Sequence, residues 1–374
     1  MTDRCPNTGD RLRFPGNVAR ISEPVTGFDD PWRAAELAGF LLPEQQARIH
    51  EQGWLKMLAP RAAGGAELPL PEVVRLEEQV AAIDGSLGWV VTLCAGAGWF
   101  AGFLPQALAR GIMATPGACL AGSGAPTGFA DLDGDDFLIS GRWDYASGAP
   151  MATHFTLNAM LRAGGEVLRD EHGKPRIRAF VVPARHVTLE PSWQAIGMRA
   201  SASQAYRIDG ARVPGSHGFA IDAAHATADG PLYRFPFMAL AYVTLAANVL
   251  GMAGHFVARA GPLVAVRRQH GTGVPLAEVP TVAARLAAAR ADLEHDRAAL
   301  YATLDRAWDD VVRHASADEA ALQRVSLQLV ETCRRTVDGL YPYCGLQAAR
   351  EETAINRVWR DFHTATQHLL LLPD

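Results

Sequence analysis

The stretch Asn356-Arg357-Val358-Trp359-Arg360-Asp361-Phe362-His363-Thr364-Ala365-Thr366-Gln367-His368 gathers two guanidiniums, one carboxylate and two imidazoles near the C-terminus. Imidazole titrates close to neutral pH, so either histidine can accept or release a proton under ordinary conditions. A positioned proton transfer of that kind is worth about 10²–10⁴ in rate. His363 and His368 are five residues apart, so a helix would not hold both on one face, and one of them is expected to serve a site. The alternative is a terminal helix with both rings in solvent.

Three upstream segments could hold a ligand for such a base. In Ser140-Gly141-Arg142-Trp143-Asp144-Tyr145-Ala146-Ser147-Gly148, a strand ends in an aromatic residue and a hydroxyl follows four positions later. Trp143 can cover one face of a planar ring, and Ser147 can donate or accept at the ring's edge. Equally, Trp143 can plug a barrel end while Ser147 sits in a turn. Ala121-Gly122-Ser123-Gly124-Ala125-Pro126-Thr127-Gly128 is small enough for backbone N–H groups to approach a flat or anionic ligand; a glycine-rich β-turn has the same composition. No Gly-Lys-Ser/Thr follows it, and it is not a GxGxxG opening a helix. In Gly197-Met198-Arg199-Ala200-Ser201-Ala202-Ser203, Arg199 with the hydroxyls could bind a phosphate, or Arg199 is a solvated turn residue.

The chain that must position these groups has 374 residues, 49% hydrophobic and 20% charged, with a net charge of −5. That suits two or three soluble domains around a large core, and the charge argues against a nucleic-acid partner. Cys5, Cys94, Cys119, Cys333 and Cys344 are scattered, with no CxxC. They are expected to be reduced thiols of a cytoplasmic protein, neither disulfides nor a zinc site. The first residues show no apolar h-region, so a signal peptide is not expected. Phe235 to Phe256 is almost wholly apolar and as long as a membrane span, but a helix buried on all sides has the same pattern, and no membrane partner is expected.

Periodicity divides the chain into an irregular arm (1–30), a helical domain (31–115), a β-barrel domain (116–225) and a helical bundle (226–374). Val73, Leu76, Val80, Ile83, Leu87 and Val90 recur at steps of three and four, one face of a helix. Phe137–Trp143, His154–Leu161 and Ile177–Pro183 are strand-like, with turns at Asp133-Gly134 and Gly164-Gly165. Leu286 to Val311 and Leu322 to Val337 again carry helical stripes, as in a bundle. The fold class is α+β, mainly α.

In this order and spacing, the pieces resemble the acyl-CoA dehydrogenase superfamily, most of all its flavin-dependent two-component monooxygenase (hydroxylase) branch. The resemblance runs from about Pro31 to His368. It rests on Asp84-Gly85-Ser86-Leu87-Gly88-Trp89, on Gly141-Arg142-Trp143 through Ser147-Gly148, and on Gly197-Met198-Arg199 through Ser203, where Ser201 replaces a Thr. It also rests on Arg267-Arg268-Gln269-His270-Gly271, where His270 replaces a Phe, and on Arg357 with Trp359-Arg360-Asp361. It implies N-terminal helices, a central β-barrel and a C-terminal four-helix bundle, assembled as a homotetramer, a dimer of dimers. It implies reduced FMN or FAD between barrel and bundle, supplied by a separate NAD(P)H-flavin reductase. Ser123, Trp143, Ser147, Arg199, Ser201 and Arg267 are the implied flavin-binding residues, with Arg267 reaching a flavin phosphate, often across a subunit interface.

Many dehydrogenases of the superfamily place a catalytic Glu where this chain has Leu369, and no Glu follows Glu352. The hydroxylase branch has a His in this neighbourhood. There reduced flavin takes up dioxygen to form a C(4a)-hydroperoxide, and a base deprotonates the aromatic substrate. His368 is the expected base by its spacing after Arg360-Asp361, with His363 second. Ser147 is expected near flavin N(5). Trp89 and Trp99 either line the site or pack the core. Val90–Trp99 lacks a His that several relatives carry, so N-oxygenation or oxidation of a polyketide ring fits as well as phenol hydroxylation. Acyl-thioester desaturation and a catalytically inactive flavin-binding protein are the competing expectations.

Overall fold

The computed structural model describes residues 31–372; the expected arm, Cys5 and the reading of the leader lie outside them. Five helices come first: α1 (Pro31–Ala38), α2 (Pro43–Glu51), α3 (Leu70–Ala81), α4 (Gly85–Trp99) and α5 (Gln106–Ala114). The apolar stripe from Val73 to Val90 suggests one helix, but the chain breaks between α3 and α4. Asp84 is extended and its carboxylate accepts the Leu87 N–H at 3.0 Å, so it caps a new helix instead of prolonging the old one.

Eight strands follow: β1 (Leu120–Asp133), β2 (Asp136–Ala146), β3 (His154–Ala163), β4 (Glu166–Val167), β5 (Ile177–Pro183), β6 (Thr188–Glu190), β7 (Gln204–Pro214) and β8 (Gly218–Phe219). They form one sheet in the order β6-β7-β2-β1-β3-β5-β8, with β4 beside β3. β1 and β3 run parallel, and their register shifts between Ser123 and Gly128. The end strands β6 and β8 do not pair, so backbone hydrogen bonds leave the expected barrel open. Side chains close it instead. Phe137 on β2 meets Phe180 on β5 with ring centroids 5.0 Å apart, and Phe155 on β3 meets Tyr206 on β7 at 4.7 Å. Each pair is separated by two intervening strands, about 14 Å across a flat sheet, so the sheet curls around its own core.

Three long helices complete the chain: α6 (Phe237–Val266), α7 (Pro280–Val312) and α8 (Glu319–Cys344), followed by α9 (Leu346–Ala349) and α10 (Ala354–Ala365). The expected four-helix bundle is thus three long helices and a three-turn α10. Gly85–Phe103 and Phe237–Val266 are long and apolar enough to cross a membrane, yet 83% and 72% of their most apolar windows are buried inside the protein. α6 packs against α3, α4, α7, α8 and α10, and a helix covered on so many sides needs no polar face. Of the expected stripes, Ala289, Leu293, Leu300, Leu304, Leu322, Leu329, Cys333 and Val337 are all buried. The described cysteines, Cys94, Cys119, Cys333 and Cys344, are free and buried.

α3 also buries Glu77 completely, and neither of its carboxyl oxygens has a hydrogen-bond partner among the described residues. Burial pushes this carboxyl up from 4.5 to about 8. The folded chain therefore keeps a proton that the unfolded chain releases above pH 4.5, and stability falls as pH rises from there toward 8. The slope approaches about 1.4 kcal/mol per pH unit. Glu77→Gln is expected to flatten it. Urea melts at pH 5 and pH 8 check this, and equal losses in both proteins would refute it.

Candidate functional site

The C-terminal run forms α10 because Thr353 caps it, its hydroxyl accepting the Asn356 N–H. The helix turns its charged residues inward. Arg360 donates to the Ile196 carbonyl at 2.6 Å and to Asn356 Oδ1 at 2.7 Å, and it forms an ion pair with buried Glu36. Asp361 Oδ1 accepts the Met198 N–H at 2.5 Å, and Arg357 lies 3.7 Å from Asp84. Burial pushes the Asp361 carboxyl well above its usual range, and neighbouring Asp84 adds to the shift. A side chain on Gly197 would meet the Arg360 carbonyl oxygen at 2.1 Å, so only glycine allows the Gly197–Ser203 turn to lie this close to α10. Arg357, Arg360 and Asp361 are therefore a clamp: they lock that turn onto α10, α1 and α4.

The clamped turn meets a second one. Gly148 donates its N–H to the Ser201 carbonyl at 2.8 Å, joining the Ser147 loop at the end of β2 to Ser201. Five non-glycine residues among those described have a left-handed φ, and three of them, Tyr145, Met198 and Ala202, stand in these two turns. Such conformations cost on the order of 1–3 kcal/mol each and persist where surrounding structure enforces them.

Four buried polar side chains connect here. Trp89 Nε1 donates to Ser147 Oγ at 3.1 Å, Ser147 and Ser203 hydroxyls lie 2.8 Å apart, Ser203 and Ser201 hydroxyls lie 2.8 Å apart, and Ser201 Oγ donates to the Met198 carbonyl at 2.7 Å. Cys94 on α4 backs the loop, with its Sγ 3.5 Å from the Ser147 carbonyl.

Ser147 and His368 share the wall of a cavity of ≈ 280 Å³. α4 contributes Thr92 and Gly96, β1 contributes Ser123 and Gly124, β3 contributes Thr156 and Asn158, and the start of α6 contributes Phe237 and Thr244. No Asp, Glu, Lys or Arg among the described residues lines it. A Cβ on Gly96 or Gly124 would meet nothing within 4 Å, so both glycines leave space open to a ligand. Gly96→Val is expected to weaken ligand binding at least tenfold, by about 1.4 kcal/mol or more, without a matching loss of melting temperature; unchanged binding by titration would remove α4 from the wall.

His368 caps the short turn Leu369–Leu371, its Nδ1 accepting the Leu370 N–H at 3.3 Å. The neutral ring therefore carries its hydrogen on Nε2. Trp89 approaches its edge, ring centroids 5.8 Å apart. Burial pushes the His368 imidazole below its ordinary value, so it is neutral at pH 7. His363 lies elsewhere: its ring packs on Trp359, its Nε2 is 3.1 Å from Asp338 on α8, and it does not line the cavity. This geometry sets it beside Asp338, away from the cavity, and takes it out of the candidate base pair. Leu369, between two cavity-lining neighbours, is 76% exposed.

The other expected ligand residues divide. Ser123 stands at the cavity wall. Trp143 does not: it is fully buried in the sheet's core, stacked on Tyr206 and donating to the Asn158 carbonyl at 2.9 Å, so it cannot cover a ligand's face. A strand alternates sides, and Trp143 takes the inward one. The aromatic residue left accessible beside the loop is Tyr145, 72% exposed and edge-on to Trp193. Ser201 is fully buried and reaches the cavity only through Ser203 and Ser147. Arg199 pairs with Glu351 at 3.0 Å outside the cavity. Arg267 is exposed at the far end of α6, roughly 35 Å along the helix from Thr244. Trp89 is at the site, whereas Trp99 donates to the Leu232 carbonyl in the core. Ser203 ends the Gly197–Ser203 motif but was not singled out as a ligand residue, and Thr92 and Asn158 carried no sequence signal separating them from other small polar residues.

Residues 243–373 match the family described as "Acyl-CoA dehydrogenase, C-terminal domain". Across nearly the whole chain there is similarity to the flavin-dependent monooxygenase oxygenase subunit HsaA of Mycobacterium tuberculosis, 23% identical over 94% of this chain and 90% of the relative. The FADH(2)-dependent resorcinol hydroxylase oxygenase component of a Rhizobium species is 24% identical over 97% and 91%. The solved structure of XiaF from a Streptomyces species, in complex with FADH2 and glycerol, superposes with a TM-score of 0.83 at 21% identity, covering 91% of this chain and 88% of that one. The chain thus matches the acyl-CoA dehydrogenase C-terminal domain over residues 243–373 and shares its overall fold with the superposed structure.

Proposed function

We propose that this protein is the oxygenase component of a two-component flavin-dependent monooxygenase, oxidising a neutral aromatic or related small molecule. The observation that carries the reading is the cavity wall: Ser147 and neutral His368 face a space that no carboxylate among the described residues lines. An acyl-thioester dehydrogenase needs a base over its substrate's C–H bond. Leu369, where a Glu would stand, is turned to solvent. Full-length similarity to HsaA and to the resorcinol hydroxylase component supports the same reading.

The cavity fits the edge of a flavin ring, with a hydroxyl at Ser147, open space over Gly96 and Gly124, and polar side chains at Ser123 and Asn158. When bound in reduced form, the flavin supplies the two electrons that activate dioxygen. Ser147 and Ser123 orient its ring, and the apolar wall from Leu93 to Phe237 excludes water. His368 holds or moves the substrate's proton at Nε2. Acting as a base there requires the other tautomer, with the hydrogen on Nδ1 and the Leu370 cap released, at a cost of about 1 kcal/mol. With no charged group among the described residues to pair against, a carboxylate-bearing substrate would be desolvated without compensation, so a phenol or neutral heteroaromatic is preferred.

Both FADH2-naming relatives favour FAD over FMN as the flavin to offer first. Arg267 lies too far from its own chain's cavity to serve it, which supports a homotetramer where it reaches a flavin phosphate of another copy. Free buried thiols suit a cytoplasmic protein fed by a separate NAD(P)H-flavin reductase.

The test supplies the protein with photoreduced FAD or FMN, labelled dioxygen and a panel of neutral phenols and indoles. Incorporation of one labelled oxygen atom into product is expected. Anaerobic bleaching of oxidised flavin by an acyl thioester, without oxygen transfer, would replace this reading with the dehydrogenase.

A further inference from the structure

The hydroxyl chain behind Ser147 has only one possible direction. At one end the Met198 carbonyl can only accept, so Ser201 must give it its hydrogen across 2.7 Å. Ser201 then has none left for Ser203, so the 2.8 Å contact between them is filled by the Ser203 hydrogen. By the same step, the 2.8 Å contact between Ser203 and Ser147 is filled by the Ser147 hydrogen. At the other end the Trp89 indole can only donate, and it donates to Ser147 Oγ. Three hydroxyl hydrogens and one indole hydrogen fill four contacts, and no other assignment does. Ser147 thus has no hydrogen to offer the cavity but keeps one lone pair. All four side chains are buried, so water does not scramble the order.

We infer that Ser201, Ser203 and the Met198 carbonyl are positioning groups that fix Ser147 as a hydrogen-bond acceptor, so that the site selects the reduced form of the flavin. The inference rests on the flavin reading above. Oxidised flavin presents N(5) as an acceptor, which meets the Ser147 lone pair with repulsion, whereas reduced flavin presents an N(5)–H that Ser147 can accept. Reversing the chain to suit oxidised flavin would leave the Ser201 hydroxyl oxygen and the Met198 carbonyl oxygen 2.7 Å apart with no hydrogen between them, in the turn that Asp361 and Arg360 clamp.

Dissociation constants of oxidised and photoreduced FAD, measured anaerobically on the full-length protein, test this. Wild type is expected to bind the reduced form more tightly. Ser201→Ala removes the acceptor for Ser203, which can then turn its hydrogen toward Ser147, and Ser203→Ala removes the acceptor for Ser147 itself. Each variant frees the Ser147 hydrogen for the cavity. Each should shift the affinity ratio toward oxidised flavin about fivefold to tenfold, the worth of one neutral hydrogen bond. A tenfold shift reads as about 30 mV in the two-electron midpoint potential. Ser201→Thr keeps the hydroxyl and should keep the ratio. Trp89→Phe leaves the direction intact and should not move the ratio toward the oxidised form.

A purely structural role would weaken both forms equally, and an unchanged ratio in folded Ser201→Ala and Ser203→Ala overturns the inference. Should one variant fail to fold, the other and Trp89→Phe still decide. Failure of wild type to bind either flavin form would instead overturn the flavin reading itself.

Discussion

His368→Ala is expected to lower product formation by about 10²–10⁴ while sparing flavin binding. The ring lines the cavity with Ser147, and among the described residues it is the only titratable side chain there. Its sign with pH follows from burial. The charged form is disfavoured, so the imidazole is neutral at pH 7 and becomes protonated only below its ordinary 6.5. Wild-type kcat/KM should hold from pH 7 down past 6.5, then fall as pH drops through the lowered value, and this acid limb should vanish in His368→Ala. His363→Ala should keep the limb, since His363 faces Asp338 and not the cavity. Wild-type turnover in His368→Ala, or an acid limb that survives in it, would reject the assignment. The Leu370 cap adds a second readout. Leu370→Pro removes the N–H that holds the hydrogen on Nε2, which should favour the base tautomer and raise the rate wherever proton removal limits it.

Arg360→Met is expected to destabilise the fold by about 3 kcal/mol. Removing one partner of a buried ion pair typically costs 3–5 kcal/mol, because the other charge is left uncompensated. Arg33 still touches Glu36 at 2.7 Å, which places the expected loss at the lower end. The substitution also orphans the Ile196 carbonyl and Asn356 Oδ1. Urea melts at pH 7 measure the loss, and Arg360→Met combined with Glu36→Gln should recover part of it, since the pair is coupled. A loss under about 1 kcal/mol would mean that the clamp is not what holds the Met198 turn. The clamp predicts a functional echo as well: loosening that turn should blur the discrimination between flavin forms before it affects His368.

Much of the architecture was legible in the sequence because periodicity reports burial directly. The stripes on α7 and α8, the strand runs that became β2, β3 and β5, and the fully apolar α6 each record what a residue's neighbours must be. The break at Asp84 was masked because α3 and α4 both bury apolar residues, so the stripe continued across a change of axis that a single capping carboxylate imposes. Closure of the sheet through Phe137–Phe180 and Phe155–Tyr206 left no trace either, since the same alternation serves a flat sheet and a curled one.

The site divided along a similar line. Residue type and spacing were sufficient to bring Ser147, Ser123 and His368 forward as groups able to hold a ligand edge or a proton, and the absence of a late Glu already weighed against desaturation chemistry. Which way a side chain points depends on the parity of a strand, the phase of a helix and the elements packed behind it, and none of these is a property of the residue alone. Trp143 and Tyr145 share strand parity, but the β2–β7 register shift after Trp143 and the left-handed φ of Tyr145 turn Tyr145 outward while Trp143 stays in the sheet core; the phase of α10 sends His363 to Asp338, and the turn beyond it brings His368 to the cavity. For the same reason Arg357, Arg360 and Asp361 became a structural clamp. The direction of the hydroxyl chain lies furthest from the sequence. Three serines and a tryptophan acquire one only when two long-range turns set four contacts at hydrogen-bond distance between a pure donor and a pure acceptor.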